Sequence, residues 1–403
     1  MALPLEGIRV VDWTIWQQGP VASAMLADLG AEVIKVELRG SGDPGRGLGA
    51  VSGNDLSSQP NFYFEANNRN KQSISIDLKK PEAREVMHDL VAKSDVFVQN
   101  FRKGVAGRLG LDYETLKARN ERLIYASATG YGPEGPDSGE PSFDILGQAR
   151  SGIMLATGEP DMPPLPIAAG IADQMGAIML AYGILAALMA RERLGVGQQV
   201  DASHLGSMMA VQGLSLACRL MMGNEIGRVR RSQSFNPLWN HYRCSDGQWI
   251  ALGMNQADRY WSDFCKAIGC PEIENDPRFE NMGVRAQNSE ACVAIIDEAI
   301  ATKTRDEWME ILKHGGDFIY TIVNTVNDLP DDPQVRINGY VEDFEHPSHG
   351  TIQVPGIPIR LSETPGSIRT PAPEFGQHTE TVLMDVLGYD WDHISTLREQ
   401  EVI

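Results

Sequence analysis

The sequence is poor in the features that mark secreted, metal-binding and membrane-spanning proteins. It has 5 cysteines among 403 residues, an odd number without CxxC spacing, which argues against a disulfide framework or a zinc site and favours a reducing cytoplasm. The first residues lack a cationic region followed by an apolar stretch, so no secretory signal is expected. The longest apolar run, Gly176 to Ala190, is shorter than the ~20 residues that cross a bilayer, and it predicts a buried helix. We therefore expect a cytoplasmic protein with no membrane segment.

Positive charge is scarce as well. The chain carries 35 Lys and Arg against 54 Asp and Glu, a formal net charge of -19. Such a surplus of negative charge repels phosphate backbones and anionic lipids, so neither nucleic acid nor a membrane surface is an expected partner. Residues 1–110 are an exception, because their 13 basic and 13 acidic residues cancel. The first part of the chain can therefore still receive one anionic ligand in one cleft.

Strand and helix patterns alternate along the first half of the chain. Short β-branched apolar runs are followed by segments with helical periodicity, and Gly or Pro separates them. This alternation predicts a parallel sheet with helices on both faces and a ligand site beyond the carboxyl ends of its strands. The predicted strands are Ile8–Asp12, Ala31–Glu37, Gln72–Leu78, Asp95–Gln99, Leu123–Ala128 and Val200–Ser203, and the predicted helices among them are Val21–Leu29, Pro81–Ala92, Asp112–Arg119 and 174–193.

Composition divides the chain into five parts. With 42% hydrophobic and 22% charged residues it is an ordinary globular protein, and ~150 residues per domain predicts two or three domains. Residues 1–222 hold the α/β pattern, and residues 223–237, rich in Gly, Arg, Ser and Asn, form a linker. Residues 238–330 predict a smaller α+β domain. Residues 331–375, with many prolines, are expected to form a second irregular linker. The pattern of residues 376–403 predicts two short helices.

Asp173 is the first candidate for chemistry, because it stands where the long apolar helix begins. An aspartate there is favoured as an N-cap, since its carboxylate accepts hydrogen bonds from the free backbone N–H groups. The same helix end also stabilises an ionised carboxylate. Beside apolar walls, such a carboxylate is a competent nucleophile toward an activated carbonyl. Spacing alone favours the cap.

Two further features lie in the first 110 residues. Gln17 and Gln18 stand where the first predicted strand meets the first helix, and their N–H groups can serve a developing oxyanion or simply a turn. Basic residues also gather at predicted strand ends and in the loops that follow, although surface solvation explains any one of them. They are Arg39, Arg46, Arg69, Lys71, Lys79, Lys80, Arg102, Lys103 and Arg108. The 8 histidines are scattered, and we expect no metal site.

Motifs along nearly the whole chain, taken in order, resemble those of the family III CoA-transferases. These motifs are Leu5–Asp12, the Gln-x-Gly-Pro pattern that ends at Pro20, Leu29–Glu37, Asn70–Lys71, Val98–Phe101, Arg108–Leu111, Thr129–Gly132, Gly195–Gln198, Gly376–Thr379 and Leu387–Tyr389. The resemblance implies an enzyme that moves CoA from an acyl-CoA thioester to a free carboxylic acid. It also implies a large Rossmann-like domain with an open parallel sheet, built from both ends of the chain, and a smaller α+β domain. Two such subunits would interlock as a homodimer.

The same resemblance assigns roles to individual residues. Asp173 would be the nucleophile that forms an acyl anhydride and then a CoA thioester, and Gln17 would steady the oxygens of these adducts. The acyl-CoA would be a co-substrate, with no permanently bound cofactor and no metal. CoA contacts would fall on Gln18, Arg39, Ile76, Lys79, Asn100, Phe101, Arg102 and Arg108. Of these, Phe101 would offer a stacking surface to adenine, and Arg39 stands one position later than the arginine of relatives, with Leu38 in its place.

The acceptor acid and one rival function remain open. Trp16, Trp239 and His241 could line an acceptor pocket for an aromatic or hydroxy acid, or could simply pack. Asp144 could orient the acceptor or cap a loop. The α-methylacyl-CoA racemases are a related alternative, but they pair their aspartate with the histidine of a Gly-His-Asp triplet. Here the triplet reads Ser142-Phe143-Asp144, and phenylalanine cannot exchange a proton.

Overall fold

The chain forms two compact units in the computed structural model, which describes residues 2–51, 53–56 and 60–403. The first unit comprises Met1–Met154, Pro166–Asn224 and Pro333–Ile403. The second comprises Leu155–Leu165 and Glu225–Asp332. The first unit is therefore built from both ends of the chain. It also takes in the proline-rich stretch 333–375, which composition assigns to a linker.

The strands and helices follow the alternation expected from the sequence in the first half of the chain. The strands are β1 (Arg9–Trp13), β2 (Glu32–Leu38), β3 (Ala50–Val51), β4 (Asn54–Asp55), β5 (Lys71–Ile76), β6 (Val96–Gln99), β7 (Ile124–Thr129), β8 (Gln198–Ser203), β9 (Trp239–Arg243), β10 (Trp249–Gly253), β11 (Tyr320–Ile322), β12 (Val341–His346) and β13 (Gly350–Pro355). The α-helices are α1 (Gln18–Asp28), α2 (Phe62–Asn68), α3 (Pro81–Ala92), α4 (Val105–Arg108), α5 (Tyr113–Arg119), α6 (Asp144–Ser151), α7 (Ile171–Leu194), α8 (His204–Val211), α9 (Gly213–Met222), α10 (Ala257–Ala267), α11 (Met282–Gln287), α12 (Ser289–Ile300), α13 (Arg305–Gly315), α14 (Pro333–Ile337), α15 (Thr379–Val382) and α16 (Trp391–Glu399).

The largest sheet among the described residues belongs to the first unit and has six strands in the order β5-β2-β1-β6-β7-β8. Every neighbouring pair is parallel, which confirms the predicted parallel α/β sheet. The chain adds strands on one side of β1 and then crosses to its other side at β6. The strand order thus reverses between β1 and β6, and a crevice opens beyond the carboxyl ends of strands at such a point.

Two apolar clusters cover the two faces of this sheet. One packs α3, α5 and α16 against Val11, Ile34 and Ile74. The other packs α1 and α7 against Val10 and Val33. Alternate residues of a strand point to opposite faces, so the continuous apolar runs of β1 and β2 are those of strands buried on both sides. Helix α7 is long and apolar enough to cross a membrane, but the core helices of soluble proteins pass the same test, and α7 packs on the sheet.

The second unit is a smaller α+β structure with its own core. Its antiparallel sheet has the order β11-β10-β9. Helices α10, α12 and α13 supply the core residues Phe264, Ile296 and Trp308 around the buried Tyr242 of β9. The indole N–H of Trp308 donates to the carbonyl oxygen of Ile300 at 2.7 Å, so this large side chain is buried without losing its hydrogen bond.

Candidate active site

The loop after β1 is clamped at the point where the strand order reverses. The side-chain oxygen of Asn100, which follows β6, accepts from the N–H of Ile15 at 2.9 Å, and its amide donates to the carbonyl oxygen of Ile15 at 2.7 Å. Trp16 has a φ of 66°, a left-handed conformation that is strained for a bulky residue. Its N–H donates to Asp43 Oδ1 at 3.2 Å, and Lys35 Nζ holds the other oxygen of Asp43 at 2.8 Å. The clamp fixes the residues that lead directly into Gln17.

A second buried ion pair lies beneath the same loop. Lys71 Nζ donates to Asp12 Oδ2 at 2.8 Å, and neither side chain has exposed surface. Burial would raise the pKa of Asp12, but Lys71 and Lys35 outweigh it and lower the pKa to about 2. Ser23 adds a hydrogen bond to the same carboxylate at 2.7 Å. The surface interpretation is therefore wrong for Lys71, which is part of the scaffold.

Asp173 is the third residue of α7 and does not cap it. The residue before the helix is Gly170, whose φ of 74° is a conformation that glycine adopts without strain. A Cβ at Gly170 would lie 2.7 Å from Gln17 Oε1 and 2.8 Å from Gln17 Nε2. Gln17 thus lies against the residue that precedes the helix carrying Asp173, and their joint role stays a prediction.

The cap of α7 is supplied by Asp144. Its Oδ1 accepts from the N–H of Ala172 at 2.6 Å and from the N–H of Asp173 at 3.2 Å. Its Oδ2 accepts from Gln148 Nε2 at 2.6 Å. Gln148 also bonds both the N–H and the carbonyl oxygen of Ile167, which ties down the segment before the helix. The capping role that spacing gave to Asp173 therefore belongs to Asp144, which reaches α7 from α6.

The carboxylate of Asp173 meets a histidine that the sequence did not single out. His204 Nε2 lies 2.9 Å from Asp173 Oδ1, and its Nδ1 lies 3.2 Å from Ser142 Oγ. His204 is 5% exposed, whereas the side chain of Asp173 is 20% exposed. The available signal was its position, because His204 directly follows the predicted strand Val200–Ser203 and so stands at the carboxyl edge of the sheet.

Tyr63 is a second residue that the sequence did not reveal. Burial, followed by the negative charges of Asp173 and Asp43, raises the pKa of its phenol. The influence of Asp173 on this pKa means that the phenol lies near the nucleophile candidate, where its hydroxyl can donate a hydrogen bond. The helix that carries it, α2, comes just after the residues that are not described, in a stretch where no strand or helix was predicted.

A cavity of about 290 Å³ opens at the carboxyl ends of β1, β2 and β5. Ile76, Lys79 and Phe101, all predicted to contact CoA, line it, together with Trp13. The ring of Phe101 packs on Trp13 with 4.2 Å between centroids. The remaining lining residues are Thr14, Ile15, Val36, Glu37, Leu38, Ser41, Gly42, Asp43, Pro44, Leu78, Val105 and Leu109. The wall is mostly apolar, with polar groups at the strand ends.

The basic residues divide into paired and unpaired groups. Arg46 bonds both oxygens of Glu37, Arg69 pairs with Asp28, and Arg39 Nε donates to the carbonyl oxygen of Ile403 at 3.0 Å. Of the basic residues singled out in the sequence, three are exposed and make no ion pair or hydrogen bond from the charged group to any described residue, and we call them the cationic rim. The cationic rim consists of Lys79, which lines the cavity, and of Arg102 and Arg108, which adjoin the lining residues Phe101 and Leu109 in the sequence.

Other predicted site residues lie elsewhere. Gln18 is buried, and its Nε2 donates to the carbonyl oxygen of Ala202 at 3.3 Å, so its amide supports the sheet; a contact with CoA stays a prediction. Trp239 and His241 belong to β9 of the second unit and line a cavity of about 510 Å³ there. Trp16 lies in the first unit, where its ring meets Phe143 edge-on at 6.5 Å. Among the described residues no group of three or more His, Cys, Asp or Glu could hold a metal ion.

Comparisons with known proteins agree with these observations. The chain matches the model of CoA-transferase family III over residues 5–379. It is 33% identical to (R)-2-hydroxy-4-methylpentanoate CoA-transferase of Clostridioides difficile over 99% of both chains. It is 34% identical to succinyl-CoA:glutarate CoA-transferase of Mus musculus, over 98% of this chain and 89% of that protein. A CAIB/BAIF family protein from Brucella suis has the same fold, with a TM-score of 0.84, 31% identity and 96% of this chain covered along with 100% of that one.

Proposed function

Because this chain belongs to the family III CoA-transferases, we propose that it moves CoA from an acyl-CoA thioester to a free carboxylic acid through covalent adducts of Asp173. Transfer of CoA as such follows from the family. The adducts, the CoA contacts and the acceptor are our proposal. The observation that carries it is the setting of Asp173, a partly exposed carboxylate at a helix N-terminus whose capping work is done by Asp144.

The proposed chemistry exchanges thioester and carboxylate in balanced steps. Asp173 attacks the thioester carbonyl, the C–S bond breaks, and CoA leaves as the thiolate, so that a mixed anhydride of Asp173 and the donor acid remains. The thiolate then attacks the aspartyl carbonyl, releasing the donor acid and leaving an aspartyl-CoA thioester. The acceptor carboxylate repeats these steps in reverse. Dividing one acyl exchange into similar steps is what covalent catalysis achieves. The amide of Gln17, which lies against Gly170, would donate to the adduct oxygens.

CoA would lie across the cavity at the carboxyl ends of β1, β2 and β5. Phe101 and Ile76 give it apolar walls, and the cationic rim supplies charges without partners to its phosphates. Arg39 retains free donors on its guanidinium while Nε is engaged with Ile403. The main-chain N–H groups at Phe101 and Ile15 are already bonded by Gln99 and Asn100, so the proposed role of Asn100 is to shape this wall.

The racemase alternative needs two bases on opposite faces of the substrate's α-carbon. Phe143 occupies the position of the histidine in that triplet, and His204 does not replace it. His204 is bonded directly to Asp173, so both groups stand on one side of any bound substrate. The geometry therefore favours transfer over racemisation.

For the acceptor we propose a hydroxy or aromatic acid. Trp16 and Phe143 form an edge-on aromatic pair in the first unit, and Trp239 with His241 lines an apolar cavity in the second. One relative is named for a branched 2-hydroxy acid. Another is named for glutarate, so a dicarboxylate belongs in every substrate panel.

We also propose that the enzyme is a homodimer with interlocked subunits. Large apolar side chains of α7 and α9 are exposed in the single chain, which is typical of surfaces that a second subunit covers. They are Ile178, Tyr182, Met189, Leu214, Leu220 and Met221. Light scattering at micromolar concentration tests the dimer; a monomer at that concentration contradicts it.

The test of the mechanism is to load the enzyme with acyl-CoAs and look for the adduct. Acetyl-CoA, succinyl-CoA and an aryl-propanoyl-CoA are incubated with the enzyme, and the peptide carrying Asp173 is examined by mass spectrometry. We expect a CoA adduct on Asp173 and no CoA exchange by Asp173→Ala, which should still bind CoA. CoA exchange by Asp173→Ala at the rate of the parent enzyme would contradict the mechanism. Deuterium entering the α-carbon without any acceptor acid would instead support the racemase.

A further inference from the structure

We infer that His204 is a further catalytic residue, whose Nε2–H stabilises the oxygen of Asp173 that carries negative charge when the aspartyl carbonyl is attacked. The inference rests on the proposed function, because it assigns a role within the adduct chemistry of Asp173. It starts from a contact between two side chains that lie 31 positions apart. Neither the composition nor the motifs of the sequence point to His204.

The ring of His204 is held on several sides. Ser203, the residue before it, caps α8 by accepting from the N–H of Gly206 at 3.0 Å. A Cβ at Gly147 would lie 2.5 Å from the Cβ of His204, so only glycine allows α6 to come this close. Ser142 lies at the far nitrogen. A ring confined in this way can keep one N–H aimed at one oxygen.

The direction of that hydrogen bond follows from the partners. An ionised carboxylate can only accept, so Nε2 carries the hydrogen shared with Asp173. Nδ1 faces a hydroxyl, which accepts from a protonated ring and donates to a neutral one. Ser142 therefore suits both charge states, and in each of them the Nε2–H points at Oδ1 of Asp173.

This geometry matches two of the proposed steps. When the CoA thiolate or the acceptor carboxylate attacks Cγ of an aspartyl adduct, the oxygen that remains as the carbonyl becomes a full oxyanion. The oxygen at 2.9 Å from His204 Nε2 is placed to be that atom. A donor already aimed where charge develops bonds the transition state more strongly than the adduct. The other oxygen of Asp173, which His204 does not touch, is left to attack the thioester.

The competing explanation is that His204 only fills space between α6 and α7. Two substitutions separate these roles. His204→Gln keeps an N–H near the position of Nε2, and His204→Leu keeps bulk without a donor. We expect kcat of His204→Leu to fall by about 10²- to 10³-fold, as for the loss of one oxyanion donor, and His204→Gln to stay within roughly tenfold of the parent enzyme. The dissociation constant for acyl-CoA should not change in either.

The measurement is rapid-quench mass spectrometry of the Asp173 peptide with acetyl-CoA and succinyl-CoA. Slow formation of the CoA adduct in His204→Leu and its recovery in His204→Gln support the inference. Equal rates in His204→Leu and the parent enzyme overturn it, and so does a His204→Gln variant that is folded but as slow as the leucine variant. Ser142→Ala, which leaves the ring in place, should slow the step by less than His204→Leu does. A parent enzyme that no acyl-CoA loads would overturn the proposed function, and the role of His204 with it.

Discussion

Two groups of charges lie within the first unit, and they differ in how completely their hydrogen-bonding capacity is used. The pairs beneath the loop after β1, Lys71 with Asp12 and Lys35 with Asp43, have at most 1% of their side-chain surface exposed. Asp12 accepts from Thr14, Ser23 and Lys71 together. Asp173 is 20% exposed and is bonded through its carboxylate to His204, and the cationic rim has no described partners.

This difference in partners distinguishes charges that stabilise the fold from charges that can take part in the reaction. A buried carboxylate that accepts from a lysine and two hydroxyls and has no exposed surface cannot reach a substrate, and it holds the loop that it anchors. A carboxylate with one filled oxygen and some solvent access can still attack a carbonyl. The same reasoning applies to cations, since an arginine without a partner can bind a phosphate at no loss to the fold. Charge count alone does not distinguish these groups, but their partners do.

The largest expected effect is on the stability of the scaffold. We expect Asp12→Asn to lower the free energy of unfolding by about 3–5 kcal/mol, because it leaves the charge of Lys71 buried without compensation. Asp173→Asn, the matched control, should stay within about 1 kcal/mol of the parent chain, since its amide oxygen can still accept from His204 and at most one hydrogen bond is weakened. Urea unfolding of both variants checks this. Similar losses of unfolding free energy in the two variants would contradict the distinction between the buried scaffold pair and the partly exposed Asp173.

Acid should weaken the scaffold through Asp12. The pKa of Asp12 lies at about 2 in the folded chain, below its ordinary value of 3.8. Its contribution of about 2 kcal/mol to the free energy of unfolding is therefore complete above pH ~5 and is lost as the pH falls toward ~2. Unfolding free energies measured between about pH 5 and pH 2.5 check this. In the double variant Asp12→Asn, Lys71→Met, the unfolding free energy should lose the part of its pH dependence that comes from Asp12. An unchanged pH dependence would assign the acid sensitivity to other carboxylates.

A smaller effect is expected for the cationic rim. Replacing Arg102 or Arg108 by Gln should raise the dissociation constant of CoA roughly tenfold, because a charge-assisted bond to phosphate is lost. Calorimetry at low and high salt should also show weaker salt dependence in the variants. Arg122, which precedes β7 at the opposite edge of the sheet and pairs with Glu192, is the control. An equal effect of Arg122→Gln would mean that overall charge, and not the rim, attracts CoA.

The smallest effect is expected at the cap of α7. Asp144→Ala should cost about 1 kcal/mol of stability, because the N–H groups of Ala172 and Asp173 lose their acceptor. Asp144→Asn retains a side-chain oxygen and should restore most of the stability and the rate of adduct formation. If the Asn variant formed the adduct as slowly as the Ala variant, the charge of Asp144 would be needed for the chemistry itself.

Much of the fold could be predicted from the sequence because local patterns determine it. The alternation of apolar runs and helical segments predicted the parallel sheet, and β1, β2, β5, β6, β7 and β8 are its strands. The irregular stretch 331–375 was different. Its structure includes the hairpin of β12 and β13, whose alternating polar and apolar residues fall between prolines and do not form a long periodic run.

The site was predictable only where position along the chain carried the signal. Asp173 and Gln17 stand at element boundaries, and the resemblance gave them roles that stay proposals. His204 and Asp144 act on Asp173 across 31 and 29 positions, and no local pattern encodes such pairs. The assignment of Lys71 to the surface failed for the same reason, because its partner Asp12 lies 59 positions away.

The order in which the ribosome delivers the chain follows from the split of the first unit. All six strands of the parallel sheet precede residue 204, yet Ile394, Leu397 and Val402, which pack on one of its faces, come after the whole second unit. At a synthesis rate of roughly 5–20 residues per second, these C-terminal residues follow the sheet by on the order of ten seconds or more. Phe101 and Val105 pack against the same cluster and also line the cavity. Helices α3 and α5 cover part of this face early, but the part that α16 covers stays exposed in the nascent sheet throughout this interval. The wall of the pocket proposed for CoA that belongs to this cluster is therefore completed late.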